Sequence, residues 1–276
     1  MEITTRPFRR EDMACCLEIE AATAPTNRYL ADVADEFTTT RGELTLGVVD
    51  GVVAGFGKLT VLFDGSAWLE LLRVHPDYQR QGVGNHIYGR YLEQIHAFGC
   101  HQAAMYTGVR NVASAALAEK NGLHRGAVLR GMSLEVADAP QLEGGPMELA
   151  GTGEEVARLL EPLEEQLGGR LNINHTFYAM NRATYGGFAA RGWVYHSPDA
   201  LLVMGARFQP KKALYIAALQ GDREQGLAWA LAEARRRGVP RITAHFPVED
   251  SQSQAFYQAH GFAVDPSDDV VMEGAF

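Results

Sequence analysis

The residues from Trp68 to Gly84, WLELLRVHPDYQRQGVG, constrain the fold more than any other part of the chain. They predict a buried strand that leads through a glycine-containing loop, Gln79 to Gly84, directly into an amphipathic helix. A helix start has unpaired backbone N–H groups and the positive end of the helix dipole, and glycines let a ligand approach the backbone. This order of elements predicts an anion site, for which a phosphate-bearing cofactor is the natural ligand.

Composition excludes some classes of partner. The chain has 276 residues, enough for two ordinary domains, and its net charge of -9 without a basic block argues against nucleic acid as the main partner. Its three cysteines, Cys15, Cys16 and Cys100, are odd in number and two are adjacent, which favours a reducing compartment. No apolar run has membrane-spanning length, so we expect a cytoplasmic protein without a membrane partner.

Turn and cap residues divide the first half into elements. Asp50-Gly51 predicts a hairpin, and a further strand leads into the glycine loop. The helix after the loop has Ile87, Tyr91, Ile95 and Phe98 on one face and ends at Gly99. After the next strand, Asn111 is placed to cap a second helix that stops at Asn121-Gly122, before a final strand.

The order of elements then repeats. Residues 137–146, ADAPQLEGGP, predict a linker between two domains, 1–136 and 147–276. In the second half, Thr152 to Glu155 predict a capping box that opens a helix to about Leu167. Two strands, a helix from Asp222 to Arg237, another strand and a short helix follow, so the halves are predicted to be a diverged tandem repeat.

Val74 to Gly84, VHPDYQRQGVG, resembles the signature of the GCN5-related N-acetyltransferases, which acylate amines with acetyl-CoA. That signature is Gln/Arg-x-x-Gly-x-Gly/Ala after Val-x-Pro. A second family element, an Asn-led helix that ends in Gly-hydrophobic, is matched by Asn111 through Gly122-Leu123. The resemblance covers about residues 1–136 and implies an α/β (α+β) chain of two tandem acyl-CoA N-acyltransferase-like folds, each a mixed, mostly antiparallel sheet flanked by helices.

The resemblance also implies where acetyl-CoA binds as co-substrate. Backbone N–H groups of the loop would hold the pyrophosphate, and the strand ending at Val74 would pair with the pantetheine arm, which Asn111 would face. The alternative for the loop by itself is a plain turn whose glycines provide backbone freedom. The sequence also does not distinguish an Arg80 side chain that contacts a phosphate from one that is only solvated. The residues expected to bind acetyl-CoA are Leu72, Arg73, Val74, Gln79, Arg80, Gln81, Gly82, Val83, Gly84, Asn85 and Asn111.

Acyl transfer to an amine needs a base and, in most enzymes of this kind, an acid that reprotonates the thiolate. Glu70 is the candidate base, because it is the only acidic residue between Trp68 and His75; a solvent-facing position on an alternating strand is the equal alternative. The tyrosine that the family uses as acid corresponds to Ala118, which departs from the family pattern. Tyr106 is the candidate substitute, although packing is the simpler role for it.

The second half lacks the glycine loop. Its helix start, Gly221 to Gly226, includes Asp222 and Glu224, whose charges would repel pyrophosphate, so we expect a degenerate domain that does not bind CoA productively. Tyr257 stands where a family tyrosine would. The function predicted for the whole chain is acetyl transfer to a primary amine of a small molecule or protein, and the alternative is a non-catalytic acyl-CoA-binding module. The acceptor and the oligomeric state are unknown from the sequence.

Two other sequence patterns do not predict a binding site. Gly55-Phe56-Gly57-Lys58-Leu59 resembles a phosphate-binding loop only briefly, because an upstream glycine and a following Ser or Thr are absent. The nine histidines show no ligand spacing with cysteines or carboxylates, so no metal is expected.

Overall fold

The chain forms two compact units, each with its own strands and helices. The computed structural model describes residues 1–26 and 28–276. The first unit contains Met1–Thr107, Asn111–Gly126 and Val271–Phe276, and the second contains Gly108–Arg110 and Ala127–Val270.

The first unit places the glycine loop between a strand and a long helix, as the sequence predicts. Its elements in chain order are β1 (Ile3–Pro7), α1 (Met13–Thr23), α2 (Leu30–Thr39), β2 (Gly42–Val49), β3 (Val52–Val61), β4 (Ala67–Val74), α3 (Val83–Phe98), β5 (Gln102–Gly108), α4 (Val112–Lys120) and the start of β6 (His124–Glu135).

The strands of the first unit follow the order β1-β2-β3-β4-β5. All neighbours are antiparallel except β4 and β5, which are parallel. Asp50 and Gly51 join β2 to β3 with φ angles of 45° and 86°, the left-handed pair of a tight hairpin turn, which confirms the predicted hairpin. Because β4 and β5 are parallel, no hairpin turn joins them, and the two strands can separate along part of their length.

Helix α3 packs on this sheet through the face that the sequence predicts. Ile87, Tyr91 and Ile95 are buried, and each buried apolar side chain of this size contributes about 1.5–3 kcal/mol. Gly47 of β2 must stay small, since a Cβ there would lie 2.7 Å from Val83 Cγ1. Gly99, with φ of 70°, ends the helix as predicted. The packed helix thereby holds its N-terminus in one place beside the end of β4.

The second unit repeats this order with additions. Its sheet runs β6-β13-β12-β11-β10-β7, with β14 also paired to β6, and β8 and β9 form a separate hairpin. Its elements after the start of β6 are β7 (Glu148–Leu149), α5 (Gly153–Leu160), β8 (Arg170–Ile173), β9 (Thr176–Ala179), α6 (Arg182–Arg191), β10 (Val194–His196), β11 (Ala200–Gly205), β12 (Leu214–Gly221), α7 (Arg223–Arg237), β13 (Arg241–Pro247), α8 (Ser251–Ala259), β14 (Ala263–Val264) and the start of β15 (Asp269–Ala275).

Two features of the second unit correct the sequence interpretation. Helix α5 opens at Thr152 as predicted, with Glu155 N donating to Thr152 Oγ1 (3.1 Å), but it ends at Leu160 and not near Leu167. Pro162 explains the early end, because a proline ring clashes with the preceding helical turn. The elements from β8 to β10 were not predicted. The domain boundaries at 136 and 147 stay a prediction.

The described residues also bear on the membrane question. No helix among them combines the length and the apolar character that crossing a bilayer requires.

Candidate active site

The loop before α3 presents a cluster of backbone donors. Gly82 is the N-cap residue of α3, has φ of 99°, and provides no side-chain cap. Arg80 is also left-handed, with φ of 60°. Within the described parts of the chain, no acceptor is recorded for the backbone N–H groups from Arg80 to Asn85. Uncapped donors at a helix N-terminus, together with the helix dipole, make this loop suitable for an anion.

Side chains brace the loop from behind. Gln79 Nε2 donates to Val74 O (3.0 Å), and Gln81 Nε2 donates to Asp77 O (2.6 Å). Both glutamines therefore stabilise the loop with their amides, whereas the Arg80 side chain is exposed. The cradle is rigid before any ligand arrives, which lowers the entropy cost of binding.

Gly84 and Asn85 connect the start of α3 to α4. A Cβ on Gly84 would lie 2.9 Å from Leu117 Cδ2, so the missing side chain lets the two helices approach. Asn121 Nδ2 donates to Asn85 Oδ1 (3.4 Å) and to Leu117 O (2.8 Å). A larger residue at Gly84 would disturb helix packing as well as the loop.

The strands β4 and β5 separate beside this loop. Their parallel pairing is limited to Ala67 with Ala103 and Trp68 with Ala104. Beyond Trp68, the edge of β4 that faces β5 has no ladder partner on that side among the described residues. An extended ligand can pair with such an edge as an added strand would. Leu72, Arg73 and Val74 lie on this open segment, which leads to the loop.

A β-bulge lies within the open segment. Leu71 has φ of 62°, and the pairing of β3 with β4 shifts register between Phe56 and Lys58. A left-handed backbone at a branched residue costs about 1–3 kcal/mol and is held only where surrounding structure fixes it. Bulges of this kind redirect the backbone next to active sites. Here the bulge turns the peptide groups that follow Glu70.

Glu70 lies in a polar setting on an otherwise apolar strand. It is half-buried and accepts a hydrogen bond from Thr60 Oγ1 (2.7 Å at Oε1). Lys58 is its cross-strand partner and is fully buried, with Nζ donating to Thr40 O (3.4 Å). Residues directly opposite each other share one face of a sheet. A carboxylate and an ammonium group therefore lie side by side where the strands begin to part.

Tyr91 lies beneath this pair. Gly57 makes room for it, because a Cβ on Gly57 would overlap the Tyr91 hydroxyl oxygen. The hydroxyl is buried and lacks a hydrogen-bond partner among the residues that the structure describes. Burial, followed by the charges of Tyr88 and Glu70, raises the pKa of Tyr91 well above its usual value. Tyr91 therefore stays protonated.

Tyr106 lies across the opening from Glu70. Its ring stacks on Trp68 with centroids 6.4 Å apart and an angle of 14°. Trp68 pairs with Ala104, so the alternation of β5 puts Tyr106 on the same face as Ala104, and that of β4 puts Glu70 on the same face as Trp68. The two candidate catalytic side chains thus border the same opening.

Asn111 and Ala118 both lie in α4. Ser114 N donates to Asn111 Oδ1 (3.2 Å), so the Asn111 side chain caps α4 as predicted and its oxygen is already engaged. Ala118 is fully buried against the core. A family tyrosine at this position is thus replaced by a packing residue.

The equivalent helix start in the second unit has the cap that α3 lacks. Gln225 N donates to Asp222 Oδ1 (3.0 Å), as the sequence predicts. Tyr257 is part of the second unit's core, and burial raises its pKa to about 12. Arg223 covers the neighbouring Phe256 ring at 4.1 Å. This end of α7 is therefore occupied by its own side chains.

The sequence interpretation missed Lys58, Thr60, Gly57 and Tyr91 as neighbours of Glu70. One signal was present, since Lys58 interrupts the apolar strand VVAGFGKLTV. A charge inside such a strand indicates a partner, because an unpaired buried charge is costly.

Known proteins resemble both the sequence and the fold. The sequence model of the acetyltransferase (GNAT) family matches residues 8–123. A GCN5-related N-acetyltransferase from Sphaerobacter thermophilus is 14% identical, with a TM-score of 0.68 over 99% of this chain and 95% of that one. A tandem GNAT protein from the clavulanic acid biosynthesis pathway is 16% identical, with a TM-score of 0.63 over 99% and 98%.

A third structure, a GCN5-related N-acetyltransferase from Kribbella flavida, is 16% identical, with a TM-score of 0.55 over 99% of this chain and 70% of that one. No curated protein matches the chain significantly. At these identities the likeness concerns the fold, and it confirms the predicted fold class over the full length of the chain.

Proposed function

We propose that this chain is a GNAT acetyltransferase that transfers the acetyl group of acetyl-CoA to a primary amine, a proposal supported by the family model that matches residues 8–123. Family members use acyl-CoA and act on amines in general; the choice of acetyl-CoA is our proposal. The observation that carries it is the row of backbone N–H groups from Arg80 to Asn85, which have no recorded acceptor among the described residues and lie next to the open edge of β4.

Binding follows from these two features. The donors of the loop would hold the pyrophosphate, since a pair of phosphates needs several convergent N–H groups. The open edge from Leu72 to Val74 would pair with the amides of the pantetheine arm. Asn111 would face the same arm through its amide nitrogen, because its oxygen caps α4. The thioester would then lie at the opening between β4 and β5.

The chemistry needs a proton acceptor and a polarised carbonyl. Glu70 would take one proton from the amine through a water, so that the neutral nitrogen attacks the thioester carbon. A backbone N–H turned by the bulge at Leu71 would stabilise the oxyanion. The C–S bond breaks as the tetrahedral intermediate collapses, and Tyr106 would protonate the leaving thiolate. The second proton of the amine nitrogen, released through water, would restore the Tyr106 hydroxyl. The acceptor would be a small molecule or a protein that presents a primary amine.

Calorimetric titration of acetyl-CoA and CoA tests the binding site. Arg80→Glu reverses a charge beside the donors, and a charge at a helix terminus is worth up to about 1 kcal/mol, so removing one favourable charge and adding one unfavourable charge should weaken binding about 10-fold or more. Arg158→Glu is the matched control, because Arg158 is an exposed arginine of α5 in the second unit. Equal acetyl-CoA affinity in the two variants would contradict the assignment of the loop.

The alternative is a non-catalytic acyl-CoA-binding module. The buried Ala118 favours it, because the usual acid has no counterpart at that position. A thiol-release assay with acetyl-CoA over a panel of amines separates the two functions. Release that depends on the amine supports the enzyme, and tight CoA binding without release for any amine supports the module.

A further inference from the structure

The second unit contains a strained hairpin turn that carries a histidine. Ile173 of β8 pairs with Thr176 of β9, so Asn174 and His175 form a two-residue loop with φ angles of 53° and 54°. Such turns favour glycine at the second position, and a left-handed backbone is unfavourable for a non-glycine residue such as His175. Asn174 is held in place, since Arg207 N donates to its Oδ1 (2.6 Å).

This turn brings His175 to two residues that are distant in the chain. His175 Nδ1 is 3.3 Å from Asp269 Oδ2, at the start of β15. The His175 ring centroid is 4.3 Å from that of His245 in β13. One ligand atom from each of the three side chains lies within 4.8 Å of the other two. All three residues belong to the second unit.

His245 has a buried nitrogen without a protein partner. Its Nε2 is inaccessible to solvent and has no hydrogen-bond partner within residues 1–26 and 28–276. An imidazole nitrogen whose lone pair is not engaged can coordinate a metal ion. An unsatisfied buried polar atom is costly, and a bound ligand would offset that cost.

The surroundings leave space at this nitrogen. Gly131 of β6 is the cross-strand partner of His245, and a Cβ there would lie 3.0 Å from Nε2 and overlap Asp265 Oδ2. The Tyr215 ring stacks on His245 with centroids 6.4 Å apart. His175 and Asp269 are partly accessible, with side chains 28% and 19% exposed, so a small ion can enter from that side.

We propose that His175, His245 and Asp269 bind a divalent transition-metal ion of the zinc class. Two imidazole nitrogens and one carboxylate oxygen match the three-ligand zinc sites that leave a fourth position for water. Ligands about 2.0–2.1 Å from a tetrahedral ion lie about 3.3 Å apart, which the His175–Asp269 pair already satisfies. Small side-chain rotations would bring His245 to that spacing. The site is independent of the proposed acetyl transfer.

The donor set also predicts selectivity. Imidazole nitrogen favours Zn²⁺ and Co²⁺, whereas Mg²⁺ and Ca²⁺ require oxygen ligands. Asp265 lies beside the cluster and accepts a hydrogen bond from Ser133 Oγ (2.6 Å at Oδ1). Because its other oxygen is near the space above Gly131, Asp265 is placed to bind a metal-bound water.

Metal titration of the full chain, purified without a histidine tag and treated with chelator, tests the site. Zn²⁺ calorimetry should show one equivalent bound, Co²⁺ should give the visible absorption of a tetrahedral ion, and Mg²⁺ should not compete. His245→Ala and Asp269→Asn should each lower the Zn²⁺ affinity at least about 100-fold, since even the loss of an outer partner costs 10–100-fold. His124→Ala, at an exposed histidine of β6, is the control and should bind like wild type.

The variants also give results that would overturn the site. Asp269→Asn keeps the size of the side chain, so it decides the question if His245→Ala does not fold. Absence of stoichiometric Zn²⁺ binding to the wild type would refute the proposal, as would wild-type affinity in folded Asp269→Asn. The three residues would then form a hydrogen-bonded cluster only.

Discussion

At the scale of single residues, the environment of Glu70 decides whether it can act as a base. From the sequence, Glu70 could equally be a catalytic base or a solvent-facing residue of an alternating strand. In the structure it lies where β4 and β5 separate, with a hydrogen bond from Thr60 and with Lys58 as its cross-strand partner. The hydrogen bond from Thr60 Oγ1 restrains the orientation of the carboxylate. Orientation of this kind is what proton transfer in a transition state requires.

Replacing Glu70 by glutamine should separate chemistry from binding. Glu70→Gln keeps the side-chain size and an oxygen that can accept from Thr60 Oγ1, but it cannot take a proton. We expect kcat to fall about 10²–10⁴-fold while the Kd of acetyl-CoA is unchanged, measured by thiol release and calorimetry. The pH dependence attributable to the base should also disappear.

An exposed carboxylate in the same unit gives the control. Glu18→Gln in α1 removes a similar charge at a distance from the strands and should leave kcat unchanged. A Glu70→Gln variant with wild-type kcat would exclude Glu70 as the base.

At the scale of elements, the two long helices α3 and α7 differ at their N-cap residue. Gly82 provides no side-chain cap for the donors of α3, whereas Asp222 satisfies a donor of α7 and adds negative charge there. One helix start is open to an anion, and the other is stabilised by its own side chain. The start of α3 is therefore suited to the proposed anion, whereas the cap at the start of α7 stabilises its own helix.

Removing the cap of α7 should therefore cost stability. Asp222→Ala deletes the acceptor for Gln225 N, and loss of an N-cap costs about 1 kcal/mol. A lower urea midpoint, followed by tryptophan fluorescence, is the expected result. Asp138→Ala removes an exposed carboxylate that caps no α-helix, and its midpoint should stay near that of wild type. Equal midpoints for both variants would show that the cap contributes nothing measurable.

At the scale of the whole molecule, the two units have a similar order of secondary-structure elements but contain different candidate binding sites. The first contains the uncapped loop and the open β4 edge, and the second contains the partly exposed cluster of His175, His245 and Asp269. We therefore predict one acetyl-CoA site per chain.

Hydrogen exchange with mass spectrometry locates that site. Saturating acetyl-CoA should slow exchange of the amides from Leu72 to Val74 and from Arg80 to Asn85, because a ligand at about 100 times its Kd stabilises the bound state by about 2.7 kcal/mol. The amides from Gly221 to Gly226 should exchange at the unliganded rate and serve as the internal control. Protection at both helix starts, or a stoichiometry of two, would contradict a single site.

Local signals explain how much the sequence could predict. The hairpin at Asp50-Gly51, the caps at Asn111 and Asp222, and the glycine loop are all encoded within a few residues, because turn and cap geometry depends on adjacent backbone and side-chain chemistry. The fold class followed from the order of these elements. The end of α5 was misplaced because the effect of Pro162 was overlooked.

The sequence by itself determined most of the order of elements, the resemblance of residues 8–123 to the GNAT family, and the uncapped loop. Tertiary structure alone decided the left-handed bulge at Leu71, the pairing of Glu70 with Lys58, and the meeting of the three proposed metal ligands. The physical reason is that these features depend on strand register and on contacts between distant residues. Register is fixed only when whole strands pack against one another, and no local pattern in this chain specifies it.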